Sequence, residues 1–548
     1  MRHLDPDRPF SAVWSDPLSR RELLRTAGAG VGLLAIAGVA GACTSSAPPS
    51  ESGDGSSQGG AGGGEFAGAL SHVFGALDPI TQTWFGTVVV TDFIHEVLYR
   101  IDPFPPRENV TPELATELPR QLDETTYRVP LRQGVTFHDG TPLTADDVVF
   151  TIGRIKDPAT ASLFMGFFEI VAEARSVGDH EVELSLTSPT TLLAPLLSLA
   201  KIQSRSAVEA SAEALELKPI GTGPYRVDTA VSGNAVTLRR FDQYSGPRSF
   251  AFDEVALDVV ADANARTAGL RSSQWQAIEQ VQAGSLDSLA GTDGLEAESV
   301  TSYHQVDLLF NCGKPPFDDP RVRRAALYAI DRDTITATSY FGQATPAWGG
   351  HLSPDHPSYT EPRTVYRFDS AYARSLLAEA GYGNEPLDIV MLAATNIEEI
   401  NSQTPLVEQN LIDAGFRPDI VSGEQESLYS RVSEGSFDVY LASRDASALG
   451  VTDAVLLLRL MYTGSFPRTL LFWDGEPLQR LEELSGRALA APDPASRDSL
   501  VAEMTDLLAE EVPLAPLHFK KQITAWSSQL SDFRPLPTVG LALDGVNA

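Results

Sequence analysis

Cysteine is almost missing from this chain of 548 residues, with Cys43 and Cys312 as its only two. A disulfide-stapled scaffold is thereby excluded, and so is any Cys-x-x-Cys redox or zinc motif. Basic residues are also short, 41 against 73 acids, for a formal charge of −32. That balance repels nucleic acid, and no stripe of Lys and Arg interleaved with aromatics reverses it locally. The bland meaning of such acidity is a solvated surface; a specific attraction for cations or cationic peptides is the narrower alternative. Catalytic signatures are missing as well: no Gly-x-Ser-x-Gly, no His-Glu-x-x-His and no Gly-x-x-x-x-Gly-Lys-Ser/Thr occurs. Of the nine histidines, His351 and His356 stand close together, but Pro354 interrupts them and a five-residue offset does not put both on one helix face. They read as loop histidines. Asp146/Asp147 and Asp318/Asp319 fall where helices begin, and capping accounts for them. The chain therefore reads as no enzyme, with no metal and no cofactor.

Long apolar runs are scarce too. The one extended uncharged run, residues 26–42, has five glycines in ~17 residues, short and weakly apolar for a stable membrane span. Before it stands Ser19-Arg20-Arg21-Glu22-Leu23-Leu24-Arg25, and after it Val39-Ala-Gly-Ala-Cys43. The first resembles a twin-arginine export signal through Arg20 and Arg21. The second resembles a lipobox, with Ala40 where a branched aliphatic is usual, and makes Cys43 the lipidated start of the mature chain. An uncleaved anchor is the alternative. Lipid on Cys43 leaves Cys312 unpaired, as a buried and inert thiol. Residues 43–64, rich in Ser, Gly and Pro, read as a flexible linker with a reach of ~25 Å.

What is present is an organised stretch at residues 127–150. Tyr127, Val129 and Leu131 alternate with polar residues as in a half-buried strand, and Pro130 points to a sheet edge. A second short strand at 135–137 and a reversal at Asp139-Gly140 follow. Thr144 then caps a helix whose Val148, Val149, Ile152 and Ile155 share one face, its hydroxyl placed to accept a backbone N–H. Ile220-Gly-Thr-Gly-Pro-Tyr225 and Leu308-Leu-Phe-Asn-Cys-Gly-Lys-Pro-Pro-Phe-Asp-Asp-Pro-Arg-Val-Arg-Arg324 come later. The Gly221-Thr-Gly223 glycines are too few for a nucleotide fingerprint and read as a tight turn. Asp319 can cap a helix with Pro320 at its first position.

These three stretches, in this order, resemble the extracytoplasmic solute-binding protein family 5, the oligopeptide-, dipeptide- and nickel-binding components of ABC importers. The resemblance runs from about residue 67 to residue 533. It implies an α/β, two-lobed periplasmic-binding-protein-like fold of type II with an extra inserted domain, mixed sheets flanked by helices, and a hinge of two crossing segments. The expected division is a signal peptide at 1–42, a linker at 43–64, a first lobe from 65–102, 201–305 and 513–548, an inserted small α/β domain at 103–200, and a second lobe at 306–512. Helices and strands alternate from residue 371 to 441, which predicts a mainly parallel, doubly wound sheet in the second lobe. The crossings are expected near Val306 and Pro513.

The resemblance further implies a ligand between the lobes, an ABC permease and ATPase as partners, and a monomer held outside the cytoplasmic membrane by its lipid. In peptide-binding members a carboxylate for the ligand's α-amino group stands where this chain has Asp445, although Ser447-Ala-Leu-Gly450 replaces the usual aromatic and proline neighbours. Asp445 is equally readable as a solvated turn acid. Arg444 can take a ligand carboxylate or form an ordinary salt bridge. Trp84 and Trp348 lie in loop contexts that the family places near the cleft, while most tryptophans serve packing. An oligopeptide is the expected solute; a nickel chelate, a sugar or another compound, or a non-transport enzyme or receptor, are the alternatives.

Overall fold

The computed structural model describes residues 63–82, 84–104 and 109–547. Arg20, Arg21 and Cys43 lie outside the described residues. Among the described residues no helix is long and apolar enough to cross a membrane.

Two mixed sheets carry the architecture. The first, of seven strands, runs in spatial order Leu295–Val300, Gln522–Ser527, Ala277–Ile278, Glu65–Leu70, Glu254–Val259, Ala235–Arg240, Tyr225–Val231. Its core is aromatic: Phe66, Phe74, Phe93, Tyr225 and Phe252 are buried together, and Leu530, Phe533, Leu541 and Leu543 of the C-terminal tail pack onto them. The second, of six strands, is ordered Ala344–Pro346, Leu514–Lys520, Gln305–Phe310, Val439–Arg444, Leu387–Ala394, Phe416–Gly423. A four-stranded sheet built from residues 120–186 stands apart from both.

Leu387–Ala394 pairs in parallel with both Phe416–Gly423 and Val439–Arg444, whereas the pairings of Val439–Arg444 with Gln305–Phe310, of Gln305–Phe310 with Leu514–Lys520, and of the latter with Ala344–Pro346 are antiparallel. The mainly parallel expectation is thus corrected. One strand enters this lobe and another leaves it at the same end, so those two must run in opposite directions. The crossings also move. Leu514–Lys520 belongs to the six-stranded sheet and Gln522–Ser527 to the seven-stranded one, so the chain changes lobe at Lys521 instead of Pro513. The outgoing crossing spans residues 301–304. A seven-residue apolar strand is buried on both faces, and its hydrogen bonds decide its sheet better than composition does.

The three sequence landmarks are joints of this frame. Thr126–Pro130 is flanked on both sides, by Glu181–Leu186 and by the two-residue strand Arg120–Gln121, so Pro130 does not mark a free edge. Residues 135–137 form an isolated bridge, Thr136 to Pro142, in place of a strand. The helix Ala145–Lys156 opens, as expected, on Thr144, which forms a reciprocal capping box with Asp147: the Thr144 side chain faces the Asp147 amide, and Asp147 Oδ2 accepts the Thr144 amide (2.9 Å) and hydroxyl (3.0 Å). His138, next in the same stretch, grips the second landmark. Its amide donates to Gly221 O (2.9 Å) and its Nε2 lies 3.0 Å from Gly223 O. A Cβ on Gly221 would fall 2.0 Å from Ile94 O, which is why a side chain has no room there. In the third landmark Asp319 Oδ1 accepts the Arg321 amide (2.8 Å) at the start of Pro320–Ala329. Arg323, buried, spends its guanidinium on the carbonyls of Phe317 and Glu511.

Candidate ligand-binding cleft

Where the two crossing segments run side by side, the Lys520 amide donates to His304 O (2.8 Å) and the Ser302 hydroxyl to Lys520 O. Around them a ring of side chains closes. Lys520 Nζ donates to Gln280 Oε1 (2.8 Å), Gln280 Nε2 to Gln522 Oε1 (2.6 Å), and Gln522 Nε2 meets His304 Nδ1 at 3.3 Å. His304 Nε2 lies 2.6 Å from Ser443 Oγ, Ser443 Oγ donates to Glu399 Oε1 (2.7 Å), and Glu399 Oε2 returns to Lys520 Nζ at 3.4 Å. Gln280 and Gln522 belong to the first lobe, Ser443 and Glu399 to the second. In this donor order His304 Nδ1 accepts from Gln522 and its Nε2 donates to Ser443. Burial alone would raise the Glu399 carboxyl, but the Lys520 charge and the contacts from His304 and Ser443 outweigh it and hold it well below the usual carboxylate range.

On the first-lobe side of this ring, Ser71 follows the strand Glu65–Leu70. Its amide (2.9 Å) and hydroxyl (2.8 Å) donate to Glu279 Oε1, and the hydroxyl lies 2.7 Å from His72 Nδ1. Burial pushes the His72 imidazole down; Glu279 and Glu399 pull it back up, and His304 and Lys520 add to the fall. Glu279 Oε2 also accepts the Gly540 amide, so the C-terminal tail lines the same space.

The sequence-predicted residues separate here. Arg444 and Asp445 are neighbours, yet the period of an extended chain sends them to opposite sides. Arg444 turns into the second lobe, where Nε (3.1 Å) and Nη2 (2.6 Å) both donate to Oδ2 of Asp307, which is 0% exposed. Because both bonds use one oxygen, Asp307 Oδ1 and Arg444 Nη1 are left without hydrogen-bond partners among the described residues. Burial raises the Asp307 carboxyl and Arg444 offsets only part of the rise. Arg444 also lines a cavity of about 20 Å³ with Tyr303, Gln305, Met461, Tyr462 and Phe519, room for about one water.

Asp445 faces the first lobe and is 2% exposed. Its Oδ1 accepts the Ser447 amide (3.0 Å) and hydroxyl (2.5 Å), capping the turn Ala446–Leu449, and its Oδ2 accepts Thr538 Oγ1 (3.0 Å) from the tail. The solvated turn acid is therefore overturned, since this carboxylate is buried between the lobes. Trp84 opens the helix Phe85–Ile94 with its ring against Gly75. Trp348 is held within the second lobe, with Arg367 4.2 Å and Arg332 5.6 Å from its ring centre. Sequence reasoning missed His72, Glu279, Gln280, Glu399 and Thr538. His72, Glu279 and Gln280 lie just past strand ends, Glu399 early in a helix and Thr538 in the C-terminal tail, and only the pairing of distant segments brings them together. His351 and His356 have protein partners, Tyr462 OH at 2.6 Å and Thr452 O at 2.9 Å.

Two α/β lobes, joined by a pair of crossing segments and meeting over buried polar groups, define a two-lobed solute-binding protein. The comparisons agree with that class. Residues 109–462 match the family described as "Bacterial extracellular solute-binding proteins, family 5 Middle". The chain belongs to this family and is the solute-capturing component of an ABC importer. It is 26% identical over 483 residues to "Glutathione-binding protein GsiB" of Escherichia coli (strain K12), covering 87% of this chain and 93% of that one. In fold it is similar to the dipeptide binding protein from Pseudoalteromonas sp. SM9913 in complex with Met-Leu, at TM-score 0.78 and 22% identity, covering 87% and 99% of the two chains. It is also similar to the PBP AgaA from Agrobacterium tumefaciens R10 in complex with agropinic acid, at TM-score 0.77 and 24% identity, covering 87% and 96%.

Proposed function

We propose that the chain captures an oligopeptide, or a compound of similar size bearing both an ammonium and a carboxylate, between its lobes and presents it to a permease driven by a separate ATPase. Asp445 and Glu279 support an ammonium, because both are buried carboxylates at the lobe boundary and neither has an ion-pair partner within 4 Å among the described residues. Arg444, committed to Asp307 inside the second lobe, is assigned to the site as the brace of the strand end that carries Asp445. Trp84 and Trp348 are assigned as flat walls. Glutathione and dipeptides, which the relatives' names give as their ligands, carry both groups. Export through Arg20 and Arg21, lipid attachment at Cys43, tethering by residues 43–64 and action as a monomer complete the proposal, as does the division into a first lobe, an inserted unit at 103–200 and a second lobe.

The observation that carries this reading is the boundary itself, where buried carboxylates from both lobes stand beside the crossing. The test is mass spectrometry of the compound that co-purifies with the protein, followed by calorimetric titration of that compound. A zwitterionic peptide-like solute whose binding falls at least tenfold in both Asp445→Asn and Glu279→Gln supports the proposal. A neutral sugar, or binding indifferent to both substitutions, ends it.

A further inference from the structure

The C-terminal tail does more than cover the first sheet. After the strand Gln522–Ser527 it runs back across that lobe, and Val539 is buried in the first-lobe core. Gly540 is pinned beside it. Its φ is +109, a Cβ there would meet Val89 Cγ2 at 3.0 Å, and its amide is held by Glu279. Two residues earlier, from this fixed stretch, Thr538 donates its hydroxyl across the lobe boundary to Asp445 Oδ2 at 3.0 Å.

The second lobe answers with the turn Ala446–Leu449. Asp445 caps it, Ala448 is buried among first-lobe residues, and the turn packs against the helix Phe85–Ile94. Asp445 thus has two duties on two oxygens: Oδ1 shapes the turn and Oδ2 reaches the other lobe. In an open arrangement Ala448 leaves its apolar seat and Asp445 Oδ2 takes water instead of Thr538. The hydroxyl bond to a charged, desolvated acceptor is made only when the lobes are shut.

We infer that Thr538 is a positioning residue for closure, the first-lobe half of a latch whose second-lobe half is Asp445 with the turn Ala446–Leu449, and that it sets the closed fraction before any solute arrives. The inference rests on the solute-binding reading, but its test needs no solute. Hydrogen–deuterium exchange is followed in the full chain, without added ligand, at the amides of residues 447–450 and of Phe85–Ile94. Thr538→Val, which keeps the shape and removes the donor, speeds exchange at both segments about tenfold, the factor expected from losing one hydrogen bond to a charged group. Thr538→Ser restores wild-type rates. Asp445→Asn matches Thr538→Val, and the double variant is no faster than either single one. Exchange in Thr538→Val that equals wild type at both segments overturns the latch. So does a uniform increase over both large sheets with a lowered Tm, because that reports a merely structural tail. A latch that fails while the co-purified solute is still bound leaves the binding proposal standing, and loss of solute binding in a protein with normal latch exchange leaves the latch standing.

Discussion

At the crossing the lobes share a closed ring of six side chains and two backbone-directed bonds, whereas at the turn Ala446–Leu449 they share one hydroxyl bond and one buried methyl group. A contact that persists through the whole motion can be redundant and strong, because no state has to break it. A contact made in only one state must be worth little, about 1–3 kcal/mol, or the population would lock shut and the solute could not shift it. The two regions divide these demands between them, with charge in the ring at the crossing and a small apolar residue in the turn Ala446–Leu449.

The largest expected effect comes from breaking the pivot. Lys520→Met leaves the Glu399 carboxylate shielded from water without its cation, at a cost of about 3–5 kcal/mol. The urea midpoint measures it, and adding Glu399→Gln is expected to recover most of the loss. No recovery would mean that the ring matters through packing alone.

Next in size is a pH effect that has to be separated from both contacts. Glu96, buried in the first lobe, is pushed up to about 7, by burial first and then by Glu113. Below its unfolded value of about 4.5 the folded form incurs no ionisation penalty, and between there and about 7 it keeps a proton that the unfolded chain has lost. Stability therefore falls as pH rises through that window, by ~3 kcal/mol. Thermal melts from pH 5 to pH 8 are expected to show the decline, and Glu96→Gln to flatten it.

Smaller in energy but larger in shape is Ala448→Arg, which cannot seat in the first-lobe core. The denaturation midpoint is expected to fall by about 1–3 kcal/mol, the cost of overfilling a buried site. Small-angle scattering is expected to report a larger radius of gyration, and an unchanged radius would remove the turn Ala446–Leu449 from the comparison. The smallest effect belongs to Cys312, whose thiol burial pushes up to about 12. Iodoacetamide is expected to label it slowly at pH 8 in the wild type and in Ala448→Arg alike, and quickly only in denaturant.

Much of the frame was legible in the chain because its signals are local. Asp319 and Pro320 supply a cap and a first helical residue side by side, and Glu181–Leu186 alternates as a strand must. The landmark residues proved informative for a reason the sequence does not display: His138 and Gly221 to Gly223, more than eighty positions apart, are two halves of one joint. Pro405 lies inside the helix Glu398–Asp413 and looks like a boundary when the packing that tolerates it is unknown. The cleft was least legible. Gln280, His304, Glu399, Ser443, Lys520 and Gln522 have no spacing in common, and only the return of the last two strands beside the first crossing assembles them.

The adjacent pair Arg444 and Asp445 shows how much a parity can carry. One residue's charge is committed inward to Asp307 and its neighbour's outward to the tail, and nothing but their alternation along the strand Val439–Arg444 assigns the two addresses. A single-residue deletion in that strand would move each back by one place, driving a carboxylate towards Asp307 and the guanidinium into the place of Ser443, beside His304 and Glu399. Thr538 would lose its partner and the second lobe would confront two like charges, although no residue touching either had been altered.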